Sequence, residues 1–100
     1  MQTTLSINLI ASNPEVRGGR PVVAGTGVTV ADIVMVMLFH RQSPDDIAAW
    51  FDLSLAQVHA ALAYYYEHKT ELDQEIKQRR EQAAELKEQR VGSRRSLLSG

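Results

Sequence analysis

Ser43-Pro44-Asp45-Asp46-Ile47-Ala48-Ala49-Trp50-Phe51-Asp52-Leu53-Ser54-Leu55-Ala56-Gln57-Val58 is the stretch that decides the fold. It holds two helix starts of one kind. Each opens with a serine whose hydroxyl can accept from the first turn's N–H groups. Each has an acid or amide three residues on, Asp46 or Gln57, which can return the bond to the serine N–H. Pro44 stands at the first helical position, where its missing N–H costs nothing. Only a tight turn fits between the two helices, so the stretch reads as a helix-turn-helix.

Working outward, Thr29-Val30-Ala31-Asp32 is a third start of the same kind. The three starts predict helices over about 30–40, 44–51 and 55–90. Apolar spacing puts Val30, Ile33, Val34, Met37 and Leu38 on one face of the first, and Ile47, Trp50 and Phe51 on one face of the second. Leu55, Val58, Leu62 and Tyr65 form the face of the third, and with Leu53 these make the expected core. From Asp45 to Val91 there is neither glycine nor proline to break a helix. From Val58, steps of four and three continue through Leu62, Tyr65, Lys69, Leu72, Ile76, Arg79, Ala83, Leu86 and Arg90, a diluted heptad seam. The third helix is therefore expected to outrun the body and to end at Gly92-Ser93, with residues 94–100 disordered.

Upstream, Leu5, Ile7 and Leu9 alternate with polar residues, a weak strand signal. Asn13-Pro14 and Gly18-Gly19 are turns, Pro21-Val22-Val23 is extended, and Ala24 to Gly27 turns the chain again. The expected fold is mainly α: a three-helix helix-turn-helix bundle with a short N-terminal β segment and a long C-terminal helix. Its expected division is a domain over 1–66 and a charged helical extension over 67–100.

Size and composition narrow the function. One hundred residues allow a single small domain. The absence of cysteine removes disulfides, thiolate zinc sites and thiol nucleophiles. A chain this small is a poor host for its own deep pocket, so a binding role is expected rather than an enzyme. The net charge of −1 divides unevenly: residues 1–66 carry 3 basic and 5 acidic side chains, residues 67–100 carry 8 and 7. The start of the chain lacks the basic residues of a secretory signal. The longest apolar stretch, Val28 to Phe39, contains Asp32 and falls short of the roughly 20 residues that cross a bilayer. A cytoplasmic protein with no membrane contact is expected.

Candidate sites follow from chemistry. At Arg17-Gly18-Gly19-Arg20, backbone N–H groups and two guanidinium groups could hold a phosphate, or the glycines could merely turn the chain. At the start of the third helix, Ser54, Gln57 and His59 are placed to meet base edges, with Gln57 suited to adenine. Phosphate attraction would fall to Arg17, Arg20 and Arg41, since this helix start has no cation and Asp45, Asp46 and Asp52 lie close by. His40, His59 and His68 lack metal-ligand spacing, and no catalytic constellation or cofactor loop stands out. Among Tyr64-Tyr65-Tyr66, Tyr65 belongs to the seam, and Tyr66 is a candidate interface residue. In the extension, Leu72, Ile76 and Leu86 are candidate apolar anchors for a partner, beside Arg79 and Arg80.

Asn13-Pro14-Glu15-Val16-Arg17-Gly18-Gly19-Arg20-Pro21-Val22-Val23-Ala24-Gly25-Thr26, with Val28-Thr29-Val30-Ala31-Asp32-Ile33 and the two serine-capped segments, resembles the DUF433 family over roughly residues 5–75. The resemblance implies a homeodomain-like helical fold. It also implies an antitoxin of a type II toxin–antitoxin pair, set beside a PIN-like toxin of the DUF5615 type. The leading expectation is a homodimer that binds operator DNA through the head and helix-turn-helix and lays its helix from about Glu67 to Arg90 across that toxin. One departure is that the family usually carries a basic residue after Gly-Thr, where this chain has Gly27. The alternatives are a stand-alone transcription regulator and an interaction module that binds no DNA.

Overall fold

The computed structural model describes residues 2, 3, 5 and 7–99, with side chains through Glu88. Its elements are β1 (Ile10–Ala11), a 3-10 turn (Arg17–Gly19), β2 (Val22–Val23), α1 (Val30–Phe39), α2 (Pro44–Phe51), α3 (Leu55–Glu67) and α4 (Lys69–Ser99). The chain forms two compact units, Met1–Lys69 and Thr70–Gly100. Among the described residues no helix is long and apolar enough to cross a membrane.

All three expected capping boxes form. Thr29 Oγ1 accepts from Asp32 N at 3.0 Å while Asp32 Oδ2 accepts from Thr29 N at 3.1 Å. Ser43 and Asp46 pair the same way at 3.2 and 3.4 Å, and Ser54 and Gln57 at 3.1 and 2.7 Å. Each box satisfies N–H groups that a helix start leaves orphaned, and loss of such a cap typically costs about 1 kcal/mol. After α2, Asp52 takes a left-handed conformation, φ 55° and ψ 51°, and its N–H returns to Ala48 O and Ala49 O. That residue makes the tight turn of the helix-turn-helix.

The core lies where α1 and α2 pack on α3. Val30, Ile33, Val34, Ile47, Val58 and Ala61 are fully buried, and Tyr65 nearly so. Val23 closes the same core from the sheet, in which β1 pairs antiparallel with β2, Ile10 opposite Val23 and Ala11 opposite Val22.

Four expectations are corrected. Leu38, Trp50 and Leu55, read as core, are about half exposed. They sit near helix ends, where periodicity overstates burial. The strand signal at Leu5, Ile7 and Leu9 gives no strand there; pairing begins at Ile10. β2 is only two residues long before the turn at Gly25 (φ 78°), and the ladder ends with Ala24 N donating to Leu9 O at 2.8 Å.

The expected single helix over 55–90 is broken at His68. Its φ of −125° and ψ of 35° are not helical, and its N–H donates to both Tyr64 O and Tyr65 O. Its ring stacks on Tyr64 at 4.1 Å, with Nδ1 3.0 Å from Tyr64 O. A carbonyl only accepts, so in this geometry Nδ1 carries the proton. The side chain thus competes for backbone groups at the last turn of α3. Past the break, α4 continues through Gly92 and Ser93 to Ser99 rather than ending at that pair.

Burial separates structural from surface positions. Ile47→Ala should lower unfolding free energy by about 2–5 kcal/mol, the usual range for a fully buried isoleucine. Leu86→Ala, at a residue 57% exposed, should stay within about 0.5 kcal/mol. Urea unfolding followed by circular dichroism measures both.

Candidate nucleic-acid and partner interface

The glycine-rich head is a tied structure. Arg17, Gly18 and Gly19 all have positive φ, 50°, 67° and 81°. Two glycines take this region without penalty, whereas Arg17 pays for its Cβ. The guanidinium compensates by holding two oxygens: Arg17 Nη1 donates to Gly27 O at 3.1 Å and lies 3.6 Å from Asp32 Oδ2. Asp32 is the capping-box acid of α1. The chain of contacts therefore runs from the Arg-Gly-Gly turn through Asp32 to Thr29, which is fully buried. Ser12 Oγ donates to Gly19 O at 2.6 Å, and the turn opens where Asn13 Oδ1 accepts from Glu15 N at 3.0 Å.

The second half of the motif is equally structural. Thr26 Oγ1 donates to Val23 O at 2.8 Å and accepts from Val28 N at 3.1 Å. Val30 N donates to Pro21 O at 2.9 Å, tying the start of α1 to the segment before β2. At Gly27 an added Cβ would meet open space, so packing does not require glycine there. What Gly27 supplies here is its carbonyl, as an acceptor for Arg17.

The expected nucleic-acid residues do not form one surface cluster of free groups. Arg17 is partly exposed but committed as described. Arg20 is exposed, and Arg41 is exposed with φ 51° just after the C-cap of α1. Ser54 and Gln57 each accept from the other's backbone N–H, leaving the Ser54 O–H and the Gln57 amide NH2 as donors. His59 is exposed on α3. Between Gln42 and His68 there is no lysine or arginine, against four acids: Asp45, Asp46, Asp52 and Glu67.

The expected partner residues divide as sharply. Tyr66 is 63% exposed and Leu86 57% exposed. Leu72 and Ile76, expected as apolar anchors, are buried at 4% exposure each. Arg79 is half-buried and Arg80 exposed. The sequence reading missed the face around Trp50. Trp50 is 56% exposed and its ring lies 5.7 Å from His40, with Phe39 and Leu38 also exposed in α1. Asp46 sits one helical turn before Trp50, so acid and aromatic share a face of α2. Assigning Trp50 to the core concealed this surface. Among the described residues no group of three or more His, Asp or Glu is placed to hold a metal ion.

Three helices with three capped starts, the last two joined by a left-handed turn, define a helix-turn-helix protein with a tied β head. The family model described as a protein of unknown function (DUF433) matches residues 10–65. The match covers more than half of the chain, which belongs to the DUF433 family. No curated protein and no solved structure matches it.

Two substitutions test the structural reading of the motif. Ser54→Ala should cost about 1 kcal/mol by loss of the cap. Arg17→Ala should cost less than about 1 kcal/mol, because the pair with Asp32 is partly exposed, and 0.5 M salt should narrow the difference from wild type. Chemical denaturation at two salt concentrations reads both.

Proposed function

We propose that this protein is the neutralising member of a two-protein pair, an antitoxin-type module that acts by binding a partner protein and not by catalysis. The observation that carries the reading is the helix-turn-helix itself: it displays Trp50 and Tyr66 to solvent while holding no cation between Gln42 and His68. Exposed aromatic side chains favour a protein partner, since Trp and Tyr are enriched at interface centres. A PIN-like nuclease of the DUF5615 type is the partner that the family resemblance suggests. Tyr66 and Leu86 are the accessible apolar groups for it, and Arg79 and Arg80 are the cations suited to its acidic site. The protein acts as a homodimer in the cytoplasm.

Operator binding is the second reading, favoured by the α2–turn–α3 arrangement. Its phosphate contacts would fall to Arg20 and Arg41, with His59 and the Gln57 amide toward the bases. Few cations and four nearby acids make that affinity weak and strongly salt-dependent.

Co-expression with the product of the adjacent gene tests the first reading. The full chain should restore growth and co-purify with that product, whereas W50A/Y66A or removal of residues 70–100 should abolish rescue. Failure of the full chain to bind or rescue overturns it. A gel shift on the chain's own promoter from 50 to 200 mM salt tests the second. A shift lost on R20A/R41A supports it, and no shift at 50 mM overturns it.

A further inference from the structure

The N-terminal arm and the outer face of α3 enclose a groove of about 490 Å³ lined by Leu5, Ile7, Ile10, Ala60, Ala63, Tyr64 and one acid, Glu67. One wall is a helix face kept low by two alanines. The other is a segment with the alternation of a strand and no strand to pair with. Leu5 and Ile7 are 89% and 78% exposed. Among the described residues, the backbone groups of Leu5, Ile7 and Asn8 have no hydrogen-bond partner. The pairing with β2 stops at Leu9, so nothing in the same ladder reaches them. Unpaired backbone that leads into a strand beside an apolar cleft is a template for an added strand.

We propose that the groove is filled by the same arm of a second copy of this chain, so that the homodimer forms by reciprocal addition of the segment around Ile7. Three observations choose this occupant. The segment lining the groove has the composition needed to fill it, apolar at every second residue. Residues 1–14 hold no Lys, Arg, Asp or Glu, so two copies approach without repulsion and the arm offers no charge to nucleic acid or to a charged partner. An antiparallel pair of identical strands is self-complementary about a two-fold axis, which closes the assembly at two copies. Centred on Ile7, that axis sets Leu5 of one copy opposite Leu9 of the other. The alternating apolar side chains then rest on Ala60 and Ala63, where small residues leave room.

This inference specifies the dimer of the reading above and is independent of the toxin partner. Sedimentation velocity on the full chain reads it directly. The wild type should sediment as a dimer at 50 µM. L5D/I7D should weaken the dimer at least tenfold with an unchanged helical circular dichroism spectrum, and A63R should do the same from the opposite wall. Because the chain has no cysteine, I7C adds a single thiol beside the proposed axis, and mild oxidation should link two chains. A monomeric wild type overturns the proposal, as does a dimer untouched by both L5D/I7D and A63R. Loss of the dimer with growth rescue intact would still uphold the interface while separating it from partner binding.

Discussion

Burial of one stripe of α3, Val58, Ala61, Leu62 and Tyr65, is the constraint on which the body depends. α1, α2 and both strands all contact this helix. None of these elements is stable by itself. Helices of 10 and 8 residues lie below the length at which isolated helices hold in water, and two-residue strands lie further below. Their capping boxes reduce the cost of starting each helix, but only the shared apolar face closes the balance. Alanine at 61, fully buried, lets neighbouring elements approach the helix closely without opening a void.

The DUF433 motif connects to this core through one partly exposed ion pair. Arg17 reaches across the head to Asp32, whose carboxylate also receives the Thr29 N–H. A side chain in the left-handed Arg-Gly-Gly turn is thereby joined to the first turn of α1. The same guanidinium takes the Gly27 carbonyl, so both halves of the motif meet on a single group. This accounts for glycine-rich sequence without a phosphate. The positive φ values are needed to fold the turn, and the basic group nearest them is engaged internally.

How legible each part was depended on how local its cause is. The three capping boxes rest on residues three apart, and Thr29–Asp32, Ser43–Asp46 and Ser54–Gln57 could all be read directly. Core membership could be read in the middle of helices, at Ile33, Ile47 and Val58, but not at their ends. Periodicity fixes a face and says nothing of where the neighbouring element stops, so Trp50 and Leu38 were misplaced. The break at His68 was invisible to a search for glycine and proline, since it comes from an imidazole stacked on Tyr64 and bonded to its carbonyl. The strand register was invisible because it depends on β2, a partner more than ten residues away. Of the candidate site, exposure of Tyr66 and Leu86 agreed with the reading, whereas Leu72 and Ile76 lie buried and Arg17 is engaged.

Charge distribution carries the functional argument furthest. A helix-turn-helix that reads DNA needs cations near its second helix, because the phosphate backbone supplies most of the attraction. Here the nearest cations in sequence, Arg41 and Lys69, stand at the two outer limits of the motif, and the Lys69 ammonium lies 5.6 Å from the Tyr65 ring. At about 0.1 M salt, fields fade over roughly 10 Å, so the acids within the motif weigh most on the charge felt at α3. The same acids disfavour phosphate. With Trp50 one turn after Asp46, the exposed side of α2 offers an acid and an aromatic ring together, the combination that accepts a guanidinium by ion pairing and stacking. Three capped helices therefore hold this face in place, and its surface chemistry accords with the proposed protein partner better than with phosphate.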